Sequence, residues 1–262
     1  MPGSCHTKPG RGTVPGIDPA RSVVADSVLV EIWSDIGCPW CFIGKRRFEA
    51  ALSRFEHAPE VEVRWRSYQL DPTLPERFEG SEVEYLSKVK GMDPTQVSGM
   101  LQHVTEQAAG VGLSYRFDEL KVANTFTAHR LIHLARDTRG AEAAAGVKEA
   151  LLSAHFEKGL DISDKTVLAG IGADAGLEAE AVREALSGTD YTDSVNADIA
   201  EARAMGVTGV PFFVLDRKYG LSGAQPEDLF LQALTQAWED GHRPLQPVVP
   251  EGGACAVDGS GC

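Results

Sequence analysis

The sequence predicts an α/β fold in which one α/β domain, built from two chain segments, is interrupted by a large all-helical insertion domain. Three observations predict it. A β-branched, apolar run at 27–33 (S-V-L-V-E-I-W) precedes a helical pattern and a second strand pattern at 61–68, the order of a βαβ unit. From about 81 to 205 the periodicity is helical, with no convincing strand. At 206–216 (G-V-T-G-V-P-F-F-V-L-D) the pattern returns to strand, and a short partner strand and a last helix follow.

Taken in order, residues 1–25 are rich in Gly and Pro and lack apolar periodicity, which predicts a disordered leader. The first helix carries Cys41, Phe48, Leu52 and Phe55 at spacings of seven, four and three, so these side chains share one face. Pro39 suits its first turn. Gly, Asp and Ser punctuate the middle region into helices at 82–90, 94–110, 124–139, 141–158, 164–174, 178–187 and 190–205. The α/β domain is expected at 26–80 and 190–245, and the helical insertion at 81–189. Residues 246–262 read as a flexible tail that carries Cys255 and Cys262.

The chain has 262 residues, 43% hydrophobic and 24% charged, which excludes wholesale disorder. A formal net charge of −13, from 25 basic and 38 acidic residues, argues against a nucleic-acid partner, because a phosphate backbone needs a basic footprint. No apolar run is long enough to span a membrane, and no apolar segment of signal-peptide type opens the chain, so a cytoplasmic protein without membrane association is expected. In that compartment cysteines point to redox or metal chemistry before structural disulfides.

Cys38 and Cys41 form C-P-W-C where a strand meets a helix. A helix N-terminus presents unpaired N–H groups and partial positive charge, so a thiolate there is stabilised. Residues three apart on a helix lie about 5–6 Å apart at Cβ, within modest adjustment of disulfide geometry. The pair can therefore cycle between dithiol and disulfide. Cys41 points with the core face, so Cys38 is expected to be exposed and to attack, with Cys41 resolving. The competing reading is a zinc site completed by Cys255 and Cys262, but such sites favour tight loops over amphipathic helix starts, and no metal is expected. His129 and His133 are four apart, opposite an arc of Leu131, Ile132, Leu134 and Ala135, which predicts a solvated or inter-domain face. Asn124 reads most simply as the N-cap of that helix.

The motifs V-E-I-W-S-D-I-G-C-P-W-C-F-I-G-K-R-R-F (30–48), N-T-F-T-A-H-R-L-I-H-L-A (124–135), G-V-T-G-V-P-F-F-V (206–214) and S-G-A-Q-P (222–226) together resemble the DsbA family of the thioredoxin superfamily. The fuller match is to its FrnE-like branch, related to kappa-class glutathione transferases and 2-hydroxychromene-2-carboxylate isomerases. The resemblance covers roughly residues 27–245. It implies a thioredoxin-like domain and a thiol–disulfide oxidoreductase or disulfide isomerase acting on a protein or small-molecule thiol or disulfide. No metal or organic cofactor enters the chemical step, and glutathione is an optional redox partner. It also implies that Val210-Pro211 is a cis bond facing the redox pair, with Pro211 catalytic. Pro39, Trp40, Val210 and Asn124 then line the substrate cleft. The alternative is a glutathione-linked isomerase or transferase acting on an aromatic or polyketide-like molecule. Those relatives carry serine where Cys38 stands, and a Ser-Asp pair after a glycine where Ala224 and Gln225 follow Gly223 here. Both departures favour disulfide chemistry. Some relatives carry a second cysteine pair near the end of the chain, which makes Cys255 and Cys262 a candidate shuttle pair.

Overall fold

Strand β1 (Val28–Ser34) is buried along nearly its whole length, so it must be covered on both faces and paired on both edges. The computed structural model, which describes residues 27–242, shows both. β1 runs parallel to β2 (Val61–Ser67), from Val28↔Val61 to Ser34↔Ser67. On its other edge it runs antiparallel to β3 (Phe212–Leu215), which pairs with β4 (Tyr219–Ser222). The sheet order is β2-β1-β3-β4. The β3–β4 turn places Asp216 and Arg217 at φ of 48° and 57°, and the Asp216 carboxylate anchors it by accepting from the Leu29 N–H.

Alternation along β1 divides the two faces. Val28, Val30 and Ile32 point to α1 (Pro39–Arg54) and α9 (Glu227–Gly241), where Phe48, Phe213 and Phe230 form an aromatic centre. Glu31 and Trp33 point the other way, toward α8 (Thr192–Ala204). The Trp33 indole donates to the Asp198 carbonyl, and the buried Glu31 carboxylate sits between Arg66 and Arg217. A carboxylate on a central strand survives burial only with such partners.

Between β2 and β3 lie α2 (Glu82–Lys90), α3 (Pro94–Ala109), α4 (Phe126–Arg139), α5 (Ala141–Phe156), α6 (Lys165–Asp174), α7 (Ala179–Ser187) and α8. The expected helices are all present, with ends shifted by a residue or two. α2 starts with a capping box between Ser81 and Glu84, and the Asp93 and Asp164 side chains cap α3 and α6. The molecule is thus a thioredoxin-like α/β domain interrupted by a helical insertion. The leader expected at 1–25 and the cysteines of the tail lie outside the described residues. Among the described residues no helix is long and apolar enough to cross a membrane.

Of the two places expected for the histidine face of α4, solvated or inter-domain, the structure shows the second. His129 and His133 are buried, not solvated, and every residue from Ala128 to Ala135 is buried. Other helices pack on one side of α4, while His129 and His133 meet the sheet's C-terminal end on the other. A polar arc on a helix marks either solvent or a second, polar packing surface; here it is the latter.

Phe230 is enclosed by Phe213 and Phe48, with ring centroids 4.5 and 5.8 Å away. Phe230→Ala is expected to cost about 3–5 kcal/mol of unfolding free energy, read from denaturant melts, because the cavity it leaves cannot collapse around two fixed rings.

Candidate active site

The C-terminal end of β1 delivers Ser34 and Asp35, and α1 begins four residues later at Pro39 with Cys38 as its N-cap. The Cys38 side chain makes no cap hydrogen bond, and its backbone is extended (φ −101°, ψ 112°). Its Sγ lies 3.3 Å from the Val210 carbonyl oxygen, to which the thiol donates. Val210-Pro211 is a cis peptide bond, as the family resemblance implied. The next turn of α1 comes so close to this loop that a Cβ on Gly44 would stand 2.9 Å from Pro211 Cγ, and the Gly223 N–H donates to the Pro211 carbonyl.

Cys38 and Cys41 are both free thiols. Contrary to expectation, Cys38 is not exposed: it is 4% accessible. The helical layer roofs the start of α1 and turns an open helix cap into the floor of a groove of about 360 Å³. Cys38, Pro39, Trp40 and Val210 all line that groove, together with Leu70, Leu74, Met100 and Val104; Cys41 does not. Asn124 stands behind the wall formed by its neighbours Ala123 and Thr125. Its amide donates to the Leu74 carbonyl and accepts from Gln69 and from the Phe126 N–H; the N-cap residue of α4 is Thr125 and not Asn124 as expected, and Asn124 satisfies the first N–H of the helix from the position before it.

Beneath the thiols lies a buried charged layer that motif reading did not find. Asp35 accepts from the Leu70 N–H at 2.8 Å and from His129 Nε2 at 3.3 Å, and these partners hold its carboxyl below the usual range despite burial. Burial pulls the His129 imidazole below its usual range, against the hydrogen bond and charge of Asp35. Lys148 of α5 is 1% accessible, and its ammonium donates to the Ser34 carbonyl at 3.2 Å. Burial pulls Lys148 down to about 8, against the attraction of Cys41, Asp35 and Cys38. His155, on the same face of α5, also lines the groove, its Nδ1 has no hydrogen-bond partner among the described residues, and burial lowers it to about 4. The sequence did carry a signal for these residues. Ala144, Lys148, Leu151 and His155 fall on one helix face, so a lysine stands at a core position.

The two thiols divide the charge unequally. The hydrogen bond with Cys41, and then burial, push Cys38 well above the usual thiol range. Burial also raises Cys41, but the Cys38 thiol, the Lys148 charge and the Ser34 hydroxyl outweigh it, and Cys41 is held below that range. Such an arrangement loses its first proton easily and its second reluctantly. Among the described residues no group of three His, Cys, Asp or Glu side chains is placed to hold a metal.

A family model for the DSBA-like thioredoxin domain matches residues 29–235. The chain belongs to the DsbA-like thioredoxin family. It is 42% identical to a probable DsbA oxidoreductase from Streptomyces coelicolor, with a TM-score of 0.77 over 88% of this chain and 97% of that one. The uncharacterized protein YwbO of Bacillus subtilis is 26% identical over 212 residues, 80% of this chain and 96% of YwbO. The cytosolic disulfide reductase DsbM from Pseudomonas aeruginosa, solved with GSH, shares the DsbA-like fold at 21% identity, with a TM-score of 0.56 over 79% of this chain and 98% of DsbM. The DsbA-like chain thus shares its family with disulfide oxidoreductases, and carries its C-P-W-C pair under a helical roof.

The role of Lys148 is open to direct measurement. Its charge, present below about pH 8, favours ionisation of the pair at neutral pH. Lys148→Met should therefore raise the midpoint of the iodoacetamide alkylation profile by about one to three pH units. An unchanged profile in a folded variant would remove Lys148 from the account.

Proposed function

We propose that the chain is a thiol–disulfide oxidoreductase whose Cys38–Cys41 pair exchanges with a thiol or disulfide held in the groove. The observation that carries this reading is the division of labour between the sulfurs: Cys38 faces the groove, and Cys41 lies behind it beside a buried cation. Transfer of the shared proton from Cys38 to Cys41 puts the thiolate on the sulfur that a substrate can reach. That thiolate attacks a substrate disulfide, forming the mixed disulfide and releasing one substrate thiolate, which takes up a proton. Cys41 then loses its proton and attacks Cys38 Sγ, forming the Cys38–Cys41 disulfide and releasing the second substrate thiolate. Two electrons pass to the substrate with the one proton that the pair holds, the other substrate thiolate takes its proton from water, and the reverse sequence oxidises a dithiol. Disulfide isomerisation is the same chemistry with the mixed disulfide resolved by a substrate thiol.

Val210 lines the wall against which the substrate sulfur is placed, with the cis Pro211 next to it in the chain fixing that turn, and Pro39 and Trp40 border the same place. Glutathione as the small-molecule redox partner, in the cytoplasm, is supported by the presence of GSH with the structurally similar DsbM. A glutathione-linked isomerase or transferase has less support, because it leaves the Cys41 thiol and its buried cation without a role. Neither metal nor organic cofactor is required by this sequence of steps. Cys255 and Cys262, outside the described residues, are retained as a candidate pair for exchange with Cys38.

Turnover of a model disulfide by Cys38→Ser should fall to the uncatalysed rate. Cys41→Ser should accumulate a covalent substrate adduct at Cys38, seen by mass spectrometry and reversed by dithiothreitol. Near wild-type turnover by Cys38→Ser would overturn the proposal.

A further inference from the structure

The groove at Cys38 is apolar over most of its wall, yet it contains several ionisable side chains whose partners differ. Asp35 is satisfied by His129 and the Leu70 N–H. Asp71 accepts from the Tyr85 hydroxyl at 2.7 Å and from Lys90 at 3.0 Å, which satisfies both charges. Glu82 is different. It lines the same groove, and among the described residues no hydrogen bond or ion pair reaches its carboxylate. Burial alone raises that carboxyl to about 7.

Glu82 occupies the first position of α2, where an acidic residue suits the helix dipole. The dipole does not explain its placement. Glu84, in the same turn, completes the capping box from an exposed position, whereas Glu82 is half-buried in the groove wall. A desolvated carboxylate without a partner is costly, and a cation bound beside it removes that cost. The chain's formal charge of −13 favours the approach of cations as well.

We infer that the groove selects thiols and disulfides with an apolar body and a cationic head, an ammonium or guanidinium group that pairs with Glu82 while the body lies against Trp40, Leu70 and Met100. The cavity, about 360 Å³, suits a small aromatic or aliphatic group of this kind. The inference rests on the oxidoreductase reading for what happens to the sulfur, but cation recognition stands on the groove itself.

Two disulfides matched in size test it: bis(4-aminomethylphenyl) disulfide, cationic, and bis(4-hydroxymethylphenyl) disulfide, neutral. Their kcat/KM ratio is measured above the carboxyl midpoint of about 7, for wild type, Glu82→Gln and Glu82→Asp. The ratio is taken within each protein, so a general loss of activity cancels. A preference of about tenfold for the cationic disulfide is expected in wild type, close to one in Glu82→Gln, and partly restored in Glu82→Asp. A wild-type ratio near one, or a preference that survives Glu82→Gln, overturns the inference. Calorimetric titration with 4-methylbenzylammonium and 4-methylbenzyl alcohol separates it from the reading on which it rests. Glu82-dependent binding of the ammonium without turnover of either disulfide would sink the oxidoreductase proposal and leave the cationic subsite standing; no Glu82-dependent difference in binding would remove the subsite.

Discussion

A single ammonium group ties the helical layer to the chemistry of the sheet. Lys148 comes from α5, in the insertion, yet its Nζ ends beneath the first turn of α1, against the Ser34 carbonyl and over the face of Trp65 at 5.9 Å. Neither contact neutralises it. Asp35 and the thiols supply the compensating charge, and all three stand at the junction of β1 and α1. A buried charge needs a buried counter-charge, so insertion and sheet cannot separate without exposing both. Asp35 in turn is held by His129 of α4, and Asp198 of α8 meets His133 and the Ser67 N–H. The interface between the two layers is therefore polar and specific where a purely apolar contact would allow sliding.

The same ammonium bears on the chemistry proposed for the pair. In the dithiol state a thiolate at the pair shares the compensation of Lys148 with Asp35. Oxidation to the disulfide removes that thiolate and leaves Asp35 alone. Lys148 therefore favours the dithiol over the disulfide, which makes the pair a better electron acceptor. The roof above Cys38 works in the same direction, because a dry groove strengthens every charge interaction within it. The roof also restricts entry to molecules that fit between Trp40, Leu70 and Met100.

Much of this was legible in the sequence, and the parts that were not share a cause. The C-P-W-C pair, its strand-to-helix position, the helical middle region and the return to strand at Phe212 follow from local periodicity and turn chemistry, which a linear sequence displays. The burial of Cys38 does not, because the lid comes from α2 and α3, more than forty residues away along the chain. The polar arc of His129 and His133 was visible, but a packed polar face and a wet one carry the same pattern. Lys148 left a trace as a lysine on the Ala144–Leu151–His155 face, without indicating that its partners would be two cysteines a hundred residues earlier. Gly44 gave no warning either: its need for a bare backbone arises only where α1 meets Pro211.

The central claim is that Cys38 and Cys41 form a reversible redox pair that shares one proton over a buried cation. The most direct test is the reduction potential of the pair, measured against glutathione redox buffers as a function of pH. A two-electron couple that takes up two protons changes by about 59 mV per pH unit, and one that takes up a single proton by about 30 mV. The account predicts a reversible equilibrium whose slope breaks from the first value to the second below about pH 8.5, the ordinary thiol range. An unbroken two-proton slope through that range, or no reversible equilibrium at all, would contradict it.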